Sequence, residues 1–347
     1  MHGHVDKLCK LPRVRYLTGD NSAPCDRRTR VPFATVGHVD TAQRGIFALG
    51  TASHSYMEFG LVDDADAHRL VQVVAELRAP QATTGGVNMV AGLAPTAWRT
   101  VGGILPDNIH DFESPVVGPD GFTMPATQQT LWLWVAGHAY DKVFDTSREA
   151  IRALSGIAHL ADEVAGWTYR DNRDLTGFID GTENPGLSEA PGVALLPTGT
   201  PGAGGTVALV QKWTHRVTEW EDLAVEEQEQ VMGRTKSDSV ELPDALRPKT
   251  SHVSRTVLEE DGEELEIFRR NTPFGGVVEH GTMFVGFAAD QRRLHRMLER
   301  MAGVEGGIRD ALTLYASPLT GAYYFVPSIE ALGALRRTRE SPARTNP

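Results

Sequence analysis

Gly177-Phe178-Ile179-Asp180-Gly181-Thr182-Glu183-Asn184-Pro185 is the stretch on which the reading of this chain turns. Its nine residues hold two acids, an amide, a hydroxyl and two glycines, opened by the apolar pair Phe178 and Ile179. Glycine takes positive φ at little cost and lets the backbone come close to a flat or anionic ligand. Pro185 cannot continue a helix and keeps Asn184 extended. Read on its residues alone, the stretch is also a plain polar turn after a short strand, because Asp-Gly followed by Asn-Pro is ordinary turn chemistry. Both readings stand at this point.

Outward from it, the chain divides into two halves of the same element order. Before it, Tyr56–Val62 alternates as a strand, preceded by the apolar segment Ile46–Leu49. Asp63 and Asp64 cap a helix whose Leu70, Val73, Val74 and Leu77 fall at helical spacing. Val87–Leu93 reads as a buried strand, Pro95 opens a short helix through Trp98, and a Pro/Gly/Asp-rich loop runs from Gly103 to Thr127. Thr130–Val135 is apolar on both faces and reads as a central strand, with Trp132 and Trp134 read as core ahead of any electron-relay role. An amphipathic helix over Asp141–Ile157 and a strand at Ala165–Tyr169 complete the half. After the signature stretch and a Gly/Pro linker, Leu187–Gly205, the spacing predicts a strand at Thr206–Trp213 and a helix at Trp220–Met232, ended by Gly233. Strands follow at Glu264–Phe268 and Met283–Ala288, then a helix at Arg292–Met301 and a closing strand at Tyr323–Val326. Strand, helix, strand, strand, helix, strand is the order of a ferredoxin-like unit. The expected class is α+β, with two ferredoxin-like (βαββαβ) domains at residues 36–170 and 171–337. A basic tail, 1–35, precedes them and a short tail, 338–347, follows.

Length and composition agree with that plan. The chain has 347 residues, 41% hydrophobic and 23% charged, enough for two cores. A formal charge of −11 argues against nucleic acid as the main partner. No apolar run approaches the ~18 residues of a membrane span. Cys9 and Cys25, the only cysteines, lie in the basic tail and match no zinc spacing even with His2 and His4. Arg27-Arg28 lacks the apolar stretch of a twin-arginine signal, and a core free of cysteine fits a reducing, cytoplasmic setting.

The string GFIDGTENP resembles the signature of the dye-decolorizing peroxidases. The similarity continues through Gly233-Arg234-Thr235-Lys236, Thr250-Ser251-His252-Val253, Phe268-Arg269-Arg270-Asn271-Thr272-Pro273-Phe274-Gly275 and Thr320–Ser328. It spans about Arg44 to Leu335, is strongest after Asp171, and its compact loops suggest the B-type branch. The resemblance implies haem b (iron protoporphyrin IX) bound between the two domains, or within the C-terminal half. It implies hydrogen peroxide as oxidant, and dyes, phenols or similar small one-electron donors oxidised through a ferryl intermediate. A haem-handling protein, deferrochelatase-like or porphyrin-binding, with little peroxide turnover is the alternative. The same resemblance implies a homo-oligomer. Encapsulation in a protein nanocompartment stays open, since nothing after Leu335 reads as a docking peptide.

Residue by residue, the resemblance makes His252 the proximal iron ligand. Of the twelve histidines, only His215, at a strand end, competes with it. His2, His4, His54, His68, His110 and His295 sit in tail, loop or polar-helix contexts. Asp310 matches the family's proximal aspartate, which would strengthen the ligand's push on the metal by accepting its second N–H. Peroxide cleavage needs a positioned base and a cation. Asp180 and Arg269 fit those roles, and Asn271, on the same strand face as Arg269, can hydrogen-bond the bound peroxide, while Arg270 points the other way. An ordinary aspartate is ionised above about pH 4, so a mildly acidic optimum is expected. Arg234 matches the propionate arginine, and the backbone of Gly181, Thr182 and Glu183 is expected to cradle the haem edge. Glu183 is placed to reach a propionate through water or a cation such as manganese. Phe274, Phe284 and Phe287 are candidate apolar walls.

Overall fold

The computed structural model describes residues 41–62, 67–77 and 86–337. The basic tail with its cysteines, the capping role of Asp63 and Asp64, and the stretch from 338 onward fall outside the described residues. The described residues belong to one compact unit.

The first half contributes β1 (Ser53–Leu61), α1 (Ala67–Leu77), β2 (Val87–Leu93), β3 (Leu131–Gly137), α2 (Tyr140–Ala153) and β4 (Ala158–Trp167). The second contributes β5 (Thr206–His215), α3 (Val225–Met232), α4 (His252–Thr256), β6 (Phe268–Arg269), β7 (Thr272–Gly275), β8 (His280–Ala288), α5 (Gln291–Met301) and β9 (Ala322–Val326). In the first half the antiparallel order is β4-β1-β3-β2. In the second, β9 and β8 flank β5, and β6 and β7 lie along the far side of β8. The halves join edge to edge twice, through Phe325 with Leu93 and through Phe274 with Gly166. The ladder therefore returns to its starting strand, and edges that would otherwise be unpaired are covered.

Side-chain alternation divides the core into two layers. Along β3, Trp132, Trp134 and Ala136 enter one cluster with Tyr56, Val210, Val285, Phe287, Tyr324 and Val326, inside the ring of strands. Leu131, Leu133 and Val135 point outward into a second cluster that also holds Leu70 and Val74 of α1, Val143 and Ala150 of α2, and Leu294 and Leu298 of α5. The whole of β3 is buried, as its double-sided apolar pattern predicts. The two indoles are core, in line with their sequence reading.

Several boundaries differ from expectation for local reasons. α2 ends at Ala153, not Ile157, because Gly156 turns the chain at φ +77° and β4 begins at Ala158. The helix expected over 220–232 is two pieces, Val217–Glu221 and α3, since Ala224 is extended and the Glu227 carboxylate accepts its N–H at 2.9 Å. Gly233 ends α3 in the left-handed conformation, as expected. Of the strand expected at 264–268 only Phe268 remains in β6, while Glu263–Glu264 pairs with Glu259–Glu260 in a separate hairpin. His54 sits in β1 and is buried, not in a loop. The helix Ile329–Arg337 has no counterpart in the sequence reading.

Close approach of β5 and β8 depends on Gly281. A Cβ there would lie 1.8 Å from the Trp213 carbonyl oxygen and 2.9 Å from Thr214 Cα, both backbone atoms that cannot move aside. Gly281→Ala is expected to cost about 3 kcal/mol, the upper end for overpacking. A drop in the urea midpoint of the apoprotein with unchanged slope would register it.

Candidate active site

β6 and β7 share one register on β8: Phe268 pairs Phe287, Arg269 pairs Gly286, Thr272 pairs Met283 and Phe274 pairs Gly281. With a period of two, Arg269, Asn271 and Phe284 face outward together, whereas Phe268, Arg270, Thr272, Phe274 and Phe287 face into the ring. On the outward side lies a cavity of about 1450 Å³, counted with its open mouth. Asp180, Gly181, Thr182 and Glu183 line it, as do Arg234, His252, Arg269, Asn271 and Phe284.

The signature loop is fastened to β6 from the back. Asn184 accepts the Arg269 N–H and donates to the Arg269 carbonyl, each at 2.8 Å. The Asp180 N–H donates to the Asn172 carbonyl at 3.0 Å. Asn271 accepts the Val285 N–H at 3.2 Å through Oδ1, which presents its Nδ2 to Asp180 Oδ1, also at 3.2 Å. Burial pushes the Asp180 carboxyl above the ordinary carboxylate range. The charge of Asp174 adds to this, while Arg269, Asn271 and the Gly181 N–H oppose it. The expectation of an ordinary aspartate at this position is corrected accordingly.

His252 opens α4 behind Ser251, whose Oγ accepts the Ser254 N–H at the helix start. Its Nδ1 lies 2.7 Å from Oδ2 of Asp310, a carboxylate with no exposed surface. Asp310 in turn accepts the Leu312 N–H at 2.9 Å through Oδ1, so it is fixed on both oxygens. The imidazole is therefore held by one nitrogen, and Nε2 is left for the cavity that His252 lines.

Arg234 follows Gly233, and its guanidinium is shared between Glu183 at 2.9 Å and Glu241 at 2.6 Å. It also donates to the Ser239 carbonyl at 3.0 Å. Phe284 forms part of the cavity wall. Phe274 and Phe287 lie elsewhere, because alternation turns both to the inner face: Phe274 under Lys212 Nζ at 5.5 Å, Phe287 against Trp132 and Trp134. Arg270 also turns inward, donating to the Ile46 carbonyl at 2.8 Å and the Ala48 carbonyl at 2.6 Å.

His215 lines the same cavity, but its Nε2 meets Thr282 Oγ1 at 3.1 Å instead of a carboxylate. Burial lowers its pKa, and the nearby Asp174 works against that. Asp174 was not singled out in the sequence. Thr282 donates to it from its hydroxyl, the Thr176 N–H donates at 2.8 Å, and its pKa is lowered although burial alone would raise it. Its only signal was a second acid six residues before Asp180, hidden by ordinary turn chemistry. Gln211, also missed, points from β5 into the cavity wall with its buried Nε2 unpartnered by protein.

Residues 171–331 match the family model described as Dyp-type peroxidase, C-terminal. A dye-decolorizing peroxidase of Mycolicibacterium paratuberculosis is 35% identical over 286 residues, covering 78% of this chain and 79% of the relative. One from Rhodococcus erythropolis is 34% identical over 283 residues, covering 78% and 82%. Among solved structures, DyPB of Rhodococcus jostii RHA1 superposes with a TM-score of 0.78 at 33% identity, covering 85% of this chain and 98% of that one. A variant of the same protein, in complex with heme, gives 0.77 at 33% identity over 82% and 96%.

The raised pKa of Asp180 has a consequence for the apoprotein. A native carboxyl that binds its proton more tightly than the unfolded chain contributes stability present at low pH and lost as pH rises through the native value. Asp180→Asn removes that loss. Its thermal midpoint should match the parent at about pH 4 and exceed it at about pH 7. Equal midpoints at both values would contradict the buried placement of the charge.

Proposed function

This chain belongs to the dye-decolorizing peroxidase family, and from that premise we propose that it holds haem b in the cavity between the signature loop and α4. The site is that of a haem peroxidase, reducing hydrogen peroxide at the expense of dyes, phenols or other small one-electron donors. One observation carries the reading. A single cavity contains an imidazole fixed by a buried carboxylate and, far from it in sequence, an acid beside a guanidinium and an amide.

The residues present fit the group. His252 Nε2 is the proximal donor, and the Asp310 carboxylate on Nδ1 sets its tautomer and makes it a stronger donor. Gln211 Nε2 is a buried donor in need of a partner within the cavity wall. Arg234 supplies a cation for a propionate. Glu183, half exposed, is free to swing away when a propionate takes its place on the guanidinium. The apolar part of the wall includes Val253, Leu265, Ile267 and Phe284. When bound, haem iron supplies the centre at which the peroxide O–O bond is broken and from which donors are oxidised.

The protein's share is proton handling and charge. Asp180 takes the proton from one peroxide oxygen and returns it to the other, a task that suits a carboxyl whose pKa stands above the ordinary range. Arg269, held through its backbone by Asn184, stabilises negative charge as it develops on the departing oxygen. Asn271 Nδ2 orients the Asp180 carboxylate. Because Asp180 works as a base, peroxide reactivity falls as pH drops through its raised pKa, earlier than for an ordinary aspartate.

The finer architecture belongs to the same proposal. Two ferredoxin-like units sharing one closed ladder are the reading that the strand orders β4-β1-β3-β2 and β9-β5-β8-β7 support. Among the described residues no helix is long and apolar enough to cross a membrane. A cytoplasmic, homo-oligomeric, B-type enzyme completes the reading.

Two experiments test it. His252→Ala in protein expressed with haem supply should lose the axial-imidazole spectrum, whereas His215→Ala should keep it; the reverse pattern overturns the ligand assignment. In stopped-flow mixing with peroxide, Asp180→Asn and Arg269→Leu should each slow the first spectral change by about 10²-fold or more with the Soret band retained. Unchanged rates in both would remove them from the mechanism.

A further inference from the structure

The inside of the ring is where the established chemistry makes no demand, and it is not an ordinary apolar core. Four redox-capable rings are stacked there in sequence. Tyr56 lies on Trp134 at 5.9 Å between centroids and 7° between planes. Trp134 lies on Trp132 at 6.2 Å and 23°, and Trp132 on Tyr324 at 6.0 Å and 17°. The Tyr56 end turns toward the site through Thr272: the Tyr56 hydroxyl bonds Thr272 Oγ1 at 2.9 Å, and Thr272 lines a second pocket together with Asp180, Arg269 and Asn271. At the far end the Tyr324 hydroxyl donates to the buried carboxylate of Glu58.

From this arrangement we infer that the stack draws an oxidising equivalent out of the peroxidase cavity and lodges it on Tyr324 as a tyrosyl radical, with Glu58 taking the phenolic proton. The inference rests on the peroxidase reading, which supplies the oxidant. The step balances. One electron leaves Tyr324, passes through Trp132, Trp134 and Tyr56, and refills the oxidised cavity site. The O–H bond of Tyr324 breaks, and a new O–H forms on Glu58 Oε1. A neutral phenol beside a carboxylate becomes a neutral radical beside a neutral acid, so a buried negative charge disappears when the hole arrives.

The partners of each ring explain why the hole stops at Tyr324. Trp132 Nε1 is buried with no hydrogen-bond acceptor, so an oxidised Trp132 can only remain a cation and pass the hole on. Trp134 has a base, since its Nε1–H donates to His54 Nδ1 at 3.0 Å. That imidazole is a poor one: burial, with the Arg270 charge adding to it, lowers its pKa to about 4. Arg270 also sits 5.0 Å over the Trp134 ring, a contact that favours the electron-rich neutral indole and penalises its cation. Tyr56 has only the Thr272 hydroxyl. Glu58 differs, because burial raises its pKa to about 7, so it keeps a proton once given one. Asp162 pushes in the same direction, while Tyr324 and Lys212 work against it.

Freeze-quench electron paramagnetic resonance on the holoprotein tests this, after one equivalent of peroxide and without a reductant. The parent should give a tyrosyl signal that narrows when the protein carries ring-deuterated tyrosine. Tyr324→Phe should abolish it. Tyr323→Phe, whose hydroxyl bonds His295 at 3.2 Å and stands outside the stack, should leave it intact. Glu58→Gln keeps a hydrogen-bond partner but removes the base, and should lower the signal by about tenfold, with the rate of peroxide consumption unchanged. An undiminished tyrosyl signal in Tyr324→Phe or Glu58→Gln, or its absence from a parent that consumes peroxide, overturns the inference and leaves the peroxidase reading standing. A parent whose Soret band is missing or does not respond to peroxide overturns both.

Discussion

Everything about the two-sidedness of this molecule depends on the register of residues 268–275 against 280–288. Side chains of a strand alternate, so a slip of one residue would send Arg269 and Asn271 into the ring and Arg270 and Thr272 into the cavity. Specific bonds hold the register on both faces. Asn184 grips the backbone of Arg269 from the loop side, and the Asn271 side chain caps the Val285 N–H. On the inner side Thr272 is tied to Tyr56, and Arg270 to two carbonyls of the segment before β1. The neutral bonds among these contribute only about 1 kcal/mol each and those from the Arg270 cation about 1.5–3 kcal/mol, yet breaking any of them would leave a polar group unmatched. Specificity comes from that asymmetry.

On the cavity side two acids six residues apart are driven in opposite directions. Asp174 receives the Thr282 hydroxyl and the Thr176 N–H and stands near His215, so it stays ionised despite burial. Asp180 has weaker compensation and the like charge of Asp174 beside it, so its proton is held more tightly. Two carboxyls pushed apart by their surroundings can divide the work. On the proposed reading Asp174 is the fixed charge and Asp180 the group that exchanges a proton.

Much of this was legible in the sequence, and the rest was hidden for identifiable reasons. Long periodic segments such as Gln291–Met301 and the double-sided apolar run of β3 announce themselves, because burial pattern and backbone period agree. That Asp180, Arg269 and Asn271 meet at one cavity was legible through the resemblance and through alternation, which separates Arg269 from Arg270 without any coordinates. Phe274 and Phe287 could have been sorted by the same parity once the pairing with β8 was known, but strand register is not written in a single segment. Asp174 was invisible for a different reason. Its role is made by Thr282 and His215, more than a hundred and about forty residues away in sequence. Boundaries failed at Gly156 and Ala224, where a single backbone conformation overrides a continuing helical pattern.

The inner face shows how one fold can carry charge through its core without collapsing or unfolding. Arg270 is buried enough that its pKa falls to about 10, yet it remains a cation at neutral pH, satisfied by two carbonyls and an indole face. Glu58 brings the opposite charge on the same strand as Tyr56, with the Trp132–Trp134 stack running between. A pair of well-packed hydrophobic residues would serve stability as well or better at such positions. Retaining a cation beside one indole and a proton acceptor beside a phenol makes the rings chemically unequal, and inequality along a stack gives electron transfer a direction. Packing alone requires neither the cation nor the acid, since the indoles and phenols would fill the same volume without them.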